Sequence, residues 1–131
     1  MARGISAKAL AALNPGGKIA PGVHFTISRK FTASDSDFAM TPSGGLGFPF
    51  RVIDAYAVMT GAGGAGDTWK LTDGTNDITD TVDVSSAADK DIVPAGQLDD
   101  AYYRFSKTGE VRGITASGAE VELYAICVRT D

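Results

Sequence analysis

The clearest alternation of apolar and polar positions in the chain lies at Val23–Phe31, VHFTISRKF. Val23, Phe25, Ile27 and Phe31 share one face, with Arg29 the exception, and His24, Thr26, Ser28 and Lys30 share the other. A period of two predicts a strand with one wet face. Phe50–Met59, FRVIDAYAVM, is apolar on both faces apart from Arg51 and Asp54 and predicts a central strand. Thr68–Thr72 alternates again and ends on Asp73-Gly74, the strongest short hairpin signal. Further short strands are predicted where Ile78, Val82 and Val84 share a face, at Val111–Ala116, and at Glu120–Arg129, with a turn at Ser117-Gly118. Residues 33–49 have no period and many turn residues, which predicts a long surface loop. Short strands joined by turns predict an all-β fold, an antiparallel β-sandwich of jelly-roll type.

The N-terminal stretch differs in pattern. Ser6 can cap a short helix over Ala7–Leu13, which Asn14-Pro15-Gly16-Gly17 stops. Two turns of helix are unstable alone in water, so Ile5, Leu10 and Leu13 need a surface to pack on. Residues 1–22 are thus expected to form an extended arm and residues 23–131 the sandwich domain.

Charge sharpens that division. Residues 1–34 carry Arg3, Lys8, Lys18, Arg29 and Lys30 and no acid, a charge of +5, whereas residues 35–131 carry −9. A basic arm on an acidic body suits a negative partner surface. The acids are 13 Asp against 3 Glu, beside 16 Gly, a bias toward turns over helix. No apolar run reaches the length of a signal-peptide core or a membrane span, so synthesis in the cytosol is expected, without a membrane partner.

Candidate chemistry is sparse. Gly61, Gly63 and Gly66 spell G-x-G-x-x-G after an apolar run. A dinucleotide site needs a helix opening at the third glycine, but only six residues, DTWKLT, separate Gly66 from the Asp73 turn. The glycines therefore predict a flexible hairpin loop, and no cofactor. His24 lies on a polar strand face without a nucleophile motif, and Cys127 follows Val121, Leu123 and Ala125 at two-residue spacing, as a buried thiol would. Asp73, Asp77, Asp80 and Asp83 could approach a cation, but they do not fit the calcium-loop spacing. Trp69 is expected in the core. Of the adjacent Tyr102 and Tyr103, one would be exposed on a strand, a common feature of protein and sugar contacts. The second face of the last strand, Glu120, Glu122, Tyr124, Ile126 and Val128, turns from polar to apolar, as a face covered by another subunit would.

From Phe50 onward, FRVIDAYAVMTG, TWKLTDGTNDITD, IVPAGQLDDAYYRF, KTGEVRGITASG and EVELYAICVRTD resemble small structural proteins of tailed bacteriophages, especially capsid decoration or cement proteins. The resemblance implies a β-sandwich, often trimeric, that sits outside the phage head, clamps neighbouring major capsid subunits and reaches across the shell with an N-terminal extension. It implies a virion component with no catalytic role and no nucleic-acid partner. The residues expected to meet the partner are Arg3, Ile5, Lys8, Leu10, Leu13 and Lys18 of the arm, with Tyr102 and Tyr103. The alternative is a receptor- or glycan-binding module of a head fibre or tail, in which Tyr102, Tyr103 or loop 33–49 would stack on sugar.

Overall fold

The computed structural model describes residues 5–6, 20–99 and 103–131. Among these residues ten strands run in chain order: β1 (Ile5–Ser6), β2 (His24–Phe31), β3 (Asp37–Ala39), β4 (Phe50–Met59), β5 (Thr68–Thr72), β6 (Val82–Asp83), β7 (Ile92–Pro94), β8 (Arg104–Phe105), β9 (Arg112–Ala116) and β10 (Val121–Arg129). They form two sheets, β1-β2-β10-β4-β7 with β8 also on β4, and β3-β9-β5-β6. Within these sheets β2 pairs with β10, β3 with β9, β4 with β7 and β5 with β6, all antiparallel. The pairs are nested, like one long hairpin with its tip between β5 and β6. Rolling that hairpin adds the ladders β10·β4 and β9·β5 and splits it into two packed sheets. This is the jelly-roll arrangement the strand cadence predicts. The described residues contain no helix, and none is therefore long and apolar enough to cross a membrane.

Alternation places the core. Phe25, Ile27 and Phe31 of β2, Val121, Leu123, Ala125 and Cys127 of β10, and Phe50, Val52, Ala55, Ala57 and Met59 of β4 face inward and are buried. Trp69 and Leu71 of β5 meet them from the other sheet. Inside β4 the phase slips: Ile126 opposes Asp54 but Cys127 opposes Val52, so Ile53 is bulged out. The Asp54 carboxylate accepts the Ala55 N–H at 2.8 Å and holds the bulge. The bulge is why the inward residues change parity, from Phe50 and Val52 before it to Ala55, Ala57 and Met59 after it. Cys127 is fully buried, and burial raises its thiol pKa far above the ordinary value.

Three expectations are corrected. The segment 33–49 is not all surface loop: it contains edge strand β3 and buries Met40 and Phe48. Val23 shares the parity of Phe25 but precedes the strand and is exposed. Gly61–Gly66 is not a hairpin, because β4 and β5 belong to different sheets and do not pair. The loop carries the chain from one sheet to the other, and its glycines allow a close crossing. Gly63 donates its N–H to the Ala87 carbonyl at 2.8 Å, and a Cβ there would lie 1.8 Å from the Val84 oxygen.

The aspartate bias also has a structural cause. The aspartates at 35, 54, 67, 73, 80, 83 and 91 each accept a backbone N–H through the carboxylate. In three turns the motif is identical. Asp35, Asp67 and Asp91 each donate their N–H to the carbonyl three residues earlier and accept that residue's N–H, from Thr32, Gly64 and Ala88. Each turn is closed twice. Aspartate has the reach for this, and glutamate has one methylene too many.

At the β5 turn, Asp73 accepts the N–H groups of Thr75 and Asn76 at 2.9 and 2.6 Å. Burial pushes its carboxyl up, but the Asn76 and Thr75 donors outweigh that and hold it below the ordinary value. The folded chain therefore binds this proton less tightly than the unfolded chain does. The turn contributes stability above the ordinary aspartate range and loses it as pH falls through that range to the lowered value. Asp73→Asn is expected to cost about 0.5–1 kcal/mol at neutral pH. The deficit should shrink between about pH 5 and pH 2 in urea melts. A deficit independent of pH would show that the charge is not what holds the turn.

Candidate interaction surface

The β2-β10-β4-β7/β8 sheet turns one face away from the core, and the ladder register maps it in rows. His24, Val128, Arg51 and Arg104 form the first row, and Thr26, Ile126 and Asp54 the second. Ser28, Tyr124, Tyr56 and Pro94 form the third, and Lys30, Glu122, Val58 and Ile92 the fourth. Charged rows thus bracket an aromatic and apolar centre. The Tyr56 and Tyr124 rings stack at 4.8 Å, tilted by 5°. Tyr124 donates its hydroxyl to Glu122 Oε1 at 2.6 Å. Burial, and next the Asp54 and Glu122 carboxylates, raise the Tyr56 pKa, so this phenol stays neutral at physiological pH.

Toward β7 this face opens into a groove of about 510 Å³, lined by Val58, Thr60, Asp89, Lys90, Glu122 and Tyr124 among others. Ile92 on its edge strand is 57% exposed, more than any other large apolar side chain among the described residues. Pro94 removes a donor from that edge, which guards it against strand addition. The apolar turn of β10 has a local explanation. Tyr124 and Val128 are already 1% and 6% exposed in the single chain, so their apolar character does not itself require another subunit.

At the other end, Arg51 lies directly opposite Arg104 on neighbouring strands. Arg104 stands over the half-buried Tyr103 ring at 5.4 Å and donates from Nε to the Tyr103 hydroxyl at 3.2 Å. Tyr103, Arg51, Ile53 and Leu98 line a cleft of about 280 Å³.

The residues expected to meet a partner fall unevenly on this map. Arg3, Lys8, Leu10, Leu13, Lys18 and Tyr102 lie outside the described residues, as does the helix expected over 7–13. Ile5 belongs to β1, which adds in parallel to the edge of β2, with Ile5 opposite Ile27 and Ser6 opposite Ser28. Tyr103 is on the surface, with Arg104 occupying one side of its ring. The Arg51–Arg104 juxtaposition escaped sequence reasoning. Alternation gives the face of Arg51, but the pairing of β4 with β8 is non-local and β8 is two residues long.

The third glycine of G-x-G-x-x-G leads into strand β5, so no helix N-terminus is presented to a phosphate. His24 is exposed on the first row. Among the described residues no group of three or more His, Cys, Asp or Glu side chains could hold a metal ion. Asp73 and Asp83 spend their carboxylates on their own turns.

No protein-family model matches the chain, and no curated protein matches it significantly. Among solved structures it is similar to a chain of the cyanophage Pam1 capsid asymmetric unit, with a TM-score of 0.52 at 15% identity. The similarity covers 85% of this chain and 87% of that one, so the two share a fold over nearly their whole lengths.

Proposed function

We propose that this chain is a non-enzymatic virion structural protein, a decoration or cement subunit that binds the outside of a phage head and clamps neighbouring major capsid subunits. A jelly roll by itself carries no role. The observation that supports this reading is the near end-to-end likeness to one chain of a phage capsid asymmetric unit. The basic N-terminal residues supply attraction to an acidic shell. Assembly as a trimer would offset weak single contacts by multivalency. The protein is then made in the host cytoplasm and ends on the capsid surface, with the major capsid protein as its partner.

The test is addition of the purified protein to undecorated particles, with occupancy read by electron microscopy. Deleting residues 1–20 is expected to lower occupancy sharply. It should leave the melting temperature nearly unchanged, because β1 is a two-residue strand at a sheet edge and the eight jelly-roll strands remain. High salt should weaken attachment, since exposed charges are screened over about 8 Å at physiological ionic strength. A full-length protein that leaves particles bare would end the decoration reading. A truncated protein that decorates fully would end the clamp.

A further inference from the structure

Two guanidinium groups set opposite each other are unfavourable on a sheet, yet Arg51 of β4 and Arg104 of β8 are so placed, and both are exposed. The Val52 N–H bonds to the Tyr103 carbonyl at 2.9 Å. The next pair along, Arg51 and Arg104, is therefore a non-hydrogen-bonded pair, the kind whose side chains stand closest. Among the described residues Arg51 has no hydrogen bond or ion pair from its guanidinium. Arg104 spends only Nε, on the Tyr103 hydroxyl at 3.2 Å. That hydroxyl accepts the bond and keeps its own proton to give. Asp54, one row away, is turned to the Ala55 N–H. The side chains that converge here thus offer donors and no acceptor, and an oxyanion matches such a set.

The space beside the donors says what carries the anion. The cleft of about 280 Å³ next to Arg51 is walled by Val52, Ile53, Leu98 and Tyr103. That is more room than a bare carboxylate needs, and it approaches the lower end of small-ligand pockets, about 300 Å³. Leu98 also lines the neighbouring hollow, with Asp77, Asp80 and Asp99. An acidic peptide or a polynucleotide running past Leu98 would bring further negative charges to those carboxylates and be repelled, whereas neutral hydroxyl groups would not. We infer that this cleft is a binding site for a carboxylated sugar, a hexuronate or a similar ring with one carboxylate and several hydroxyls. Arg51 and Arg104 take the carboxylate in paired N–H bonds, which their planar forks match. Tyr103 donates its hydroxyl to an oxygen of the same ligand, and the apolar side of the ring lies on Ile53 and Leu98. The like-charge pair is then neutralised when the ligand is bound. The inference does not depend on the virion reading, since it concerns a small molecule and this chain alone.

Titration of the isotope-labelled full chain, followed by amide chemical shifts at constant ionic strength, tests it with four probes: sodium glucuronate, glucose, sodium acetate and an aspartate-rich peptide. Glucuronate should give saturable shifts at Arg51, Ile53, Leu98, Tyr103 and Arg104. Glucose, which lacks the charge, should give none, and acetate, which lacks the ring, should bind at least several-fold more weakly. Arg51→Gln should weaken glucuronate by about tenfold, and Tyr103→Phe by about fivefold. Arg51→Gln also relieves the like-charge pair, so its melting temperature should equal or exceed that of the wild type. If Arg51→Gln does not fold, Arg104→Gln takes its place, with the same loss expected. No saturable shift with glucuronate would overturn the inference, as would variants that bind it as the wild type does. Acetate binding as tightly as glucuronate would reduce the cleft to a plain anion site and overturn the sugar. The peptide binding more tightly than glucuronate would assign the arginines to a protein partner instead.

Discussion

Gly63→Ala is expected to destabilise the protein by about 3 kcal/mol, while Gly64→Ala, the next residue, changes stability by less than about 0.5 kcal/mol. Neither glycine has a positive φ, so conformational freedom does not separate them. Space does. A Cβ on Gly63 would lie 1.8 Å from the Val84 carbonyl oxygen and 2.9 Å from its carbon. A Cβ on Gly64 would meet only the Asp67 carboxylate, at 3.7 Å. The Val84 carbonyl cannot swing aside cheaply, because it accepts the Ala87 N–H at 3.1 Å, and the Val84 N–H is held by the Asp67 carbonyl at 3.0 Å. Relief requires parting two backbone segments that cross between the sheets, and with them the Gly63–Ala87 bond. Urea denaturation of the two variants measures the contrast. Equal, small losses would mean that the crossing is loose and that the glycines matter only as flexible chain.

The same loop shows where sequence reasoning reached and where it stopped. The spacing from Gly66 to Asp73 excludes a nucleotide-binding helix from local information alone, and β5 occupies that space. That the glycines bring β4 past the residues after β6 depends on contacts between segments some twenty residues apart, which no local pattern carries. The long strands were legible, β2 and β10 from faces that differ in polarity and β4 from a run apolar on both faces, each within a residue or so of the expected range. Strands β3, β6, β7 and β8 have two or three residues each, too few for a period, and exist because a partner strand satisfies their backbone groups. The nested pairing of a jelly roll is likewise a property of the whole chain. The Asp excess was read correctly as a sign of turns, but not that a carboxylate and a backbone bond close the same three turns together. The charged candidate surface was half visible: Arg51 stood out in an apolar strand, while its neighbour Arg104 came from a segment 53 positions away in the chain.

Gly113→Val sets two physical effects against each other, and their sizes decide the outcome. Gly113 is in β9 at the middle of its sheet, paired with Phe38 on one side and Leu71 on the other. Valine suits a strand better than glycine, a gain of at most about 1 kcal/mol. But Gly113 lies close against the facing sheet: a Cβ would lie 2.6 Å from Phe31 Cζ and 2.8 Å from Leu123 Cδ1, both fully buried. Overpacking a filled core costs about 1–3 kcal/mol for a methylene or two, and valine adds three carbons. The net expectation is a loss of about 2–3 kcal/mol. Because the clash is with named side chains, it should be relieved by shortening one of them. Leu123→Ala alone is expected to cost about 2–5 kcal/mol through the cavity it leaves. Combined with Gly113→Val, part of that cavity is refilled, so the double variant should be more stable than the sum of the two losses by about 1 kcal/mol or more. Strict additivity in the double-mutant cycle would show that valine finds room elsewhere and that the sheet spacing is not set at Gly113.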